Sequence, residues 1–321
     1  MVSAGKGILA ADESTPTCTK RFQALQLEST ESTRKSYRST LFSCKNLERY
    51  ISGVILFDET FNQTIESSNK TIPKYLKEKG ILAGIKVDTG AKLLANHNKE
   101  KITEGLDGLR ERLIAYKQKG ASFAKWRAVI TINNSNPSNG CIYANAHALA
   151  RYASLCQESD IVPIVEPEVL MEGSHTIQDC YNATSKSLEI VFEQLNLLKV
   201  NLEAMILKPN MILPGLNSNE IISNDIIAKM TFDVLKAHVP EEVPGIAFLS
   251  GGQSSDLAAE RLNNLNKLYM NKCAWKLTFS YGRALQSDAL KKWAKGSTKD
   301  AQNALINRAK MNHLASIGQM M

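Results

Sequence analysis

Eight short apolar runs recur along the chain, and each ends close to a charged or hydroxylic residue. They are GILAADE (7–13), GVILFDE (53–59), LAGIKVD (82–88), SFAKWRAVI (122–130), IVPIVEPEV (161–169), AMILKPN (204–210), GIAFLSGG (245–252) and KLTFSYGRA (276–284). Their starts fall roughly 30 to 45 residues apart, and near-continuous apolar runs of this length read as strands buried on both faces. Helical periodicity fills most of the gaps, over 74–80, 104–120, 140–158, 175–199, 218–238, 254–270 and 298–317. In 104–120, Leu106, Leu109 and Leu113 share a stripe that stops at Lys119-Gly120, as 74–80 stops at Lys79-Gly80. SNE (218–220) and SSD (254–256) supply candidate N-caps. Strand followed by helix, eight times over, predicts an α/β chain folded as a (β/α)8 TIM barrel, a single domain over residues 1–321. An open, doubly wound sheet would need fewer strands and a Gly-rich turn after the first, which AADESTPT is not.

Composition narrows the class further. Hydrophobic residues make up 43% of the chain and charged residues 22%, a balance that suits a buried core. No run approaches the ~20 apolar residues of a membrane-spanning helix, and the apolar run before Asp12 is too short for a secretory segment. Six cysteines, none in a CxxC pair, read as reduced thiols of a cytoplasmic protein. The net charge of +7 comes from Lys and Arg interspersed with acids rather than from a basic tract. That argues against nucleic acid as the partner and for anionic small ligands.

In a barrel of this kind the active site lies at the C-terminal ends of the strands. The runs place Asp12 there, then Lys86 and Asp88, Lys125 and Arg127, Glu166 and Glu168, Lys208, Ser250-Gly251-Gly252, and Tyr281 with Arg283. Lys125/Arg127 and Glu166/Glu168 are i, i+2 pairs, so each pair projects from one face of its strand, two cations against two anions. Burying that many charges costs several kcal/mol each unless they are paired, so the pattern points to chemistry rather than support. A lysine in an apolar strand is a candidate amine nucleophile for Schiff-base formation with a carbonyl. Lys208 fits best, between AMIL and Pro209, while position alone leaves Lys125 and Lys86 open. The five histidines, His97, His147, His175, His238 and His313, fall in expected helices or loops with no HxH or HxxxH pair, which predicts no metal site. LSGGQSSDLAAERL puts two glycines between a strand and a helix N-terminus, a phosphate-binding arrangement to which Arg283 adds a fork of donors. A lysine nucleophile, carboxylate proton carriers and a phosphate cradle, with no cofactor, suit aldol cleavage of a phosphorylated carbonyl compound.

The motifs GKGILAADEST, GVILFDET, GIKVD, FAKWR, IVPIVEPE, LKPNM, FLSGGQS and LTFSYGRALQ, in this order, closely resemble class I fructose-1,6-bisphosphate aldolases. The resemblance implies reversible cleavage of fructose 1,6-bisphosphate to dihydroxyacetone phosphate and glyceraldehyde 3-phosphate in a cytoplasmic, glycolytic, metal-free homotetramer. It implies Lys208 as the Schiff-base lysine, Glu166 as the general acid/base and Asp12 as the acceptor of the hydroxyl proton. Lys125 would be the neighbouring cation, with Glu168 and Arg127 in support. Leu249, Ser250, Gly251, Ser280, Gly282 and Arg283 would hold the phosphate beside the ketone. Ser14, Thr17, Lys20, Arg21, Lys86 and Arg34 would hold the far one. Three departures set further expectations. Pro16 stands where the family has glycine; proline cannot supply φ > 0, so a shift of the far-phosphate loop is expected if that conformation is required. The family's helix ahead of the first strand and its C-terminal tail ending in tyrosine are expected to be lacking, with slower turnover as the consequence. These departures also motivate a second reading, an aldolase-like paralogue with weak turnover that acts as a binding or scaffolding protein, for example on cytoskeletal filaments.

Overall fold

The computed structural model describes residues 1–132 and 137–320. Its strands are β1 (Gly7–Ala11), β2 (Ile51–Leu56), β3 (Leu82–Lys86), β4 (Gly90–Leu93), β5 (Lys101–Glu104), β6 (Phe123–Ile130), β7 (Val162–Val169), β8 (Ile206–Leu207), β9 (Gly245–Phe248) and β10 (Lys276–Tyr281). All but β4 and β5 close into a parallel barrel in the order β1-β10-β9-β8-β7-β6-β3-β2. The eight barrel strands coincide with the eight apolar runs. β8 is short because Pro209 has no N–H to extend the ladder, although Lys208 N still donates to Val165 O at 2.8 Å. β9 ends where Gly251 and Gly252 turn the chain with φ of 53° and 88°.

The helices are α1 (Thr15–Gln23), α2 (Glu31–Phe42), α3 (Asp58–Phe61), α4 (Ile72–Glu78), α5 (Leu109–Gln118), α6 (Asn139–Glu158), α7 (Ile177–Leu197), α8 (Asn224–His238), α9 (Ser255–Tyr269), α10 (Arg283–Ala294) and α11 (Thr298–Ser316). Two expected boundaries move. The helix expected over 104–120 starts at Leu109, because Lys101–Glu104 forms the second arm of an antiparallel β4–β5 hairpin and Gly105 and Gly108 then adopt φ of 125° and 63°. The helix expected from 218 starts at Asn224, capped by the Ser223 hydroxyl on Ile226 N rather than by Ser218. Gly80 and Gly120 stop α4 and α5 with φ of 74° and 102°, the conformation that ends a helix without a Cβ clash.

Alternation along the barrel strands divides its interior into two storeys. Ile8, Ala10, Ile55, Phe123, Ile164, Ile206 and Ala247 pack as an apolar floor, with Met1, Val2 and Val162 against it. Two residues further along the same inward rows stand Asp12 after Ala10, Lys125 after Phe123, Glu166 after Ile164 and Lys208 after Ile206. The opposite faces, such as Leu9, Val54, Ile85, Trp126, Val165 and Phe248, join the core under the helices. The floor needs room for one large ring. A Cβ on Gly84 would lie 2.1 Å from the Phe123 ring and one on Gly53 2.9 Å from it, so these glycines are where the aromatic ring sits. Gly84→Ala should therefore lower stability by about 1–3 kcal/mol by overpacking. In urea unfolding, the Gly84→Ala/Phe123→Leu double variant should recover part of that loss.

Candidate active site

The barrel mouth opens into a cavity of about 620 Å³. At its centre four buried charges alternate in sign. Lys125 Nζ lies 2.8 Å from Asp12 Oδ2 and 3.2 Å from Glu166 Oε2, and Lys208 Nζ lies 3.0 Å from Glu166 Oε1. The side chains of Lys125 and Lys208 are each 5% exposed and that of Glu166 is 3% exposed, so each charge depends on its neighbours for solvation. Burial alone would raise the Asp12 carboxyl, but Lys125 and then Lys208 outweigh it and hold Asp12 far below the usual carboxylate range. Glu166 is likewise held low against burial by Lys125 and Lys208. Burial would strip Lys125 of its proton, yet Asp12 and Glu166 drive its ammonium the other way, so it stays charged.

The strand registers produce this chain. Lys125 is the partner of Lys86 across β3–β6, and Arg127 is the partner of Glu166 across β6–β7. The side chains pair diagonally instead. Lys125 reaches Glu166, and Arg127 reaches Glu168 on the outer row. Lys86, at the end of β3, holds Asp88 Oδ1 at 2.8 Å, while Asp88 Oδ2 accepts from Arg127 N at 3.3 Å. Asp88 lines the cavity and had no role in the sequence reading, although Lys86-Val87-Asp88 shows the same i, i+2 spacing that marked the other pairs.

Beside this centre lie two patches suited to anions. Leu249, Ser250, Gly251, Ser280, Gly282 and Arg283 line the wall. The Ser280 hydroxyl is buried with no hydrogen-bond partner among the described residues, a donor left for a ligand. The N-termini of α10, entered through Gly282, and of α1, entered through Ser14, line the cavity and carry no side-chain cap, unlike the α9 anticipated from the sequence. α9 is capped by its own Ser254, and Gly252 opens onto a separate surface hollow. Ser14, Thr17, Lys20, Arg21 and Lys86 also line the cavity. Pro16 occupies the first turn of α1, where a φ near −65° is the helical value, so the chain there needs no glycine conformation. Arg34 stands apart. Its guanidinium is paired with Glu59 at 2.7 and 2.5 Å and does not line the cavity. Glu13, next to Asp12, turns away from the central chain and pairs with Arg38 and Arg21.

A family model described as Glycolytic: Fructose-bisphosphate aldolase class-I matches residues 1–321. The chain is 49% identical over 322 residues to a probable fructose-bisphosphate aldolase class 1 of Xanthomonas campestris, covering 99% of this chain and 96% of that one. It is 48% identical to fructose-bisphosphate aldolase B of Gallus gallus, covering 99% and 88%. The fold superposes with a TM-score of 0.97 on the fructose-bisphosphate aldolase of Plasmodium falciparum in its complex with TRAP and a small-molecule inhibitor, at 44% identity, covering 100% of this chain and 92% of that one. This chain belongs to the class-I fructose-bisphosphate aldolase family. Its activity is that of a glycolytic carbon–carbon lyase of the metal-independent class, and nothing in these similarities favours a scaffolding paralogue. Among the described residues no three His, Cys, Asp or Glu side chains form a group able to hold a metal ion, and no helix is long and apolar enough to cross a membrane.

The alternating charges tie stability to pH. Lys125→Met removes the main partner of Asp12 and one of two partners of Glu166, leaving burial to raise both carboxyls. The variant should lose about 3–5 kcal/mol at neutral pH. The native carboxylates contribute stability that is present above about pH 4 and lost as pH falls through their depressed values, so the gap should narrow below about pH 4. Denaturant titrations at pH 7 and pH 3.5 check both statements.

Proposed function

We propose that this aldolase cleaves fructose 1,6-bisphosphate through a Schiff base on Lys208, and that it does so as a cytoplasmic homotetramer. The observation that carries the choice of lysine is the sharing of Glu166. Lys125 faces two carboxylates, at 2.8 and 3.2 Å, and is held as an ammonium, whereas Lys208 faces one carboxylate that is already shared. Lys86 is paired with Asp88 at the rim. Lys208 is thus left with a single carboxylate that it shares with Lys125, and Glu166, 3.0 Å away, is the group placed to exchange protons with it.

The steps follow from these positions. The Lys208 amine, having passed a proton to Glu166, attacks the ketone carbon of the substrate, and Glu166 delivers that proton to the carbonyl oxygen while the Lys125 ammonium stabilises its developing charge. Glu166, having taken a proton from nitrogen, returns one to the carbinol hydroxyl, which leaves as water and gives an iminium. Asp12 then accepts the proton of the hydroxyl two carbons along. The C–C bond breaks, the aldehyde departs, and the bonding pair moves into the iminium to leave an enamine. Protonation of that carbon and addition of water release dihydroxyacetone phosphate and restore the amine. The two anion-suited patches, one around Ser280 and Arg283 and the other around Ser14 and Arg21, suit a sugar with a phosphate at each end. All six cysteines are unpaired, which agrees with a reducing compartment.

Borohydride reduction in the presence of dihydroxyacetone phosphate, followed by peptide mass spectrometry, should place the adduct on Lys208. An adduct on Lys125 or Lys86 instead, or none at all, would overturn the assignment. Asp12→Asn should still be trapped by borohydride but cleave fructose 1,6-bisphosphate about 10²–10⁴-fold more slowly in a steady-state assay.

A further inference from the structure

We infer that Arg38 and Gln286, which lie behind the cavity wall, act through Glu13 to position Arg21 for the far phosphate of the substrate. The inference rests on the far-phosphate reading above. Glu13 directly follows Asp12, and its side chain is 7% exposed. Groups from three helices converge on it: Arg21 from α1 and the Gln286 amide from α10, at 3.0 Å, donate to one carboxylate oxygen, and the Arg38 guanidinium from α2 forms an ion pair with the other at 2.6 Å. Arg38 is 2% exposed and Gln286 1% exposed, whereas Arg21 stands on the cavity wall. The Gln286 amide is used on both sides. Its nitrogen also donates to Ala10 O at 2.7 Å, and its oxygen accepts from Tyr37 at 3.2 Å and Arg38 at 3.4 Å. Tyr37 is in turn wedged against Phe22 and Trp293, with ring centroids 5.8 and 5.3 Å away.

A carboxylate paired one-to-one with Arg21 would neutralise it and compete with an incoming phosphate. Arg38 supplies Glu13 with a second cation, so the cluster of Arg21, Glu13 and Arg38 keeps one positive charge on the cavity side. The carboxylate then orients the Arg21 fork without consuming its charge. Burial would raise Glu13, but Arg38 and then Arg21 hold it ionised, as this role requires. A purely structural buried ion cluster would be replaceable by apolar groups at little loss. This one abuts the wall where an anion is to be read.

The test compares KM and kcat for fructose 1,6-bisphosphate and fructose 1-phosphate, which lacks the far phosphate. Arg38→Met should raise KM for the bisphosphate about tenfold, as expected for one weakened charge-assisted contact, and leave kcat within about twofold. Both parameters for fructose 1-phosphate should stay within about twofold of the native values. Adding Glu13→Gln to Arg38→Met removes the competing carboxylate and should bring KM back to within about threefold of native. Should Arg38→Met fail to fold, Arg38→Lys, which keeps the charge and loses the fork, should raise the bisphosphate KM by about threefold under the same comparison. Equal losses on both substrates, no loss on either, or no recovery in the double variant would overturn the inference. Arg21→Ala separates the two levels. If it leaves the bisphosphate KM unchanged, the far-phosphate reading fails; if it raises that KM while the Arg38 variants do not, only the positioning role fails.

Discussion

The run of charges Asp12, Lys125, Glu166 and Lys208 is the constraint from which the rest of the molecule follows. Each group is nearly sealed from water, and an unpaired charge at such depth costs several kcal/mol. Alternating signs at 2.8 to 3.2 Å make the run tolerable, but only if β1, β6, β7 and β8 hold their relative heights. A closed barrel supplies that rigidity because each strand is fixed on both edges. The same closeness that solvates the charges creates the chemistry. A carboxylate set between two ammonium groups moves a proton with little motion.

The barrel can hold such a centre because its other storey is apolar. Phe123 fills the floor in the room left by Gly53 and Gly84, and the inward rows change from apolar to charged within two residues. Dispersion and burial stabilise the closed end. The open end keeps a cavity in which ionised groups can act, so stability and reactivity are carried by different residues of the same strands. Around the rim, Ser280, Gly282 and Arg283 and the first turn of α1 are held by elements whose helix cores are buried behind them.

Much of this was legible in the chain. The eight strands could be read because parallel barrel strands are buried on both faces and leave continuous apolar runs. The β4–β5 hairpin could not, since three of the four residues of Gly90–Leu93 are exposed and Lys101–Glu104 buries only Thr103, so neither arm shows a buried apolar run. α1 also escaped notice, having only Cys18 and Phe22 buried along its length. The start of α8 was misread because Ile221, fully exposed, extends the apolar pattern before the true cap at Ser223. The family resemblance implies Arg34 as a far-phosphate residue, but α2 turns it to Glu59. Arg38 and Gln286 were present without a role, since their partners lie on other elements, in the case of Gln286 some 249 to 276 residues away.

The sequence by itself determined the barrel, the inward rows and the set of ionisable groups at the mouth. It could do so because strand alternation is local: a side chain two residues from an inward one is also inward. Which lysine faces two carboxylates and which faces one, which helix ends meet the cavity, and which arginines line it were decided only by the tertiary structure. Those relations depend on barrel closure and stagger, which join strands far apart in the chain, and in an electrostatic site a few tenths of an ångström decide which group keeps the proton.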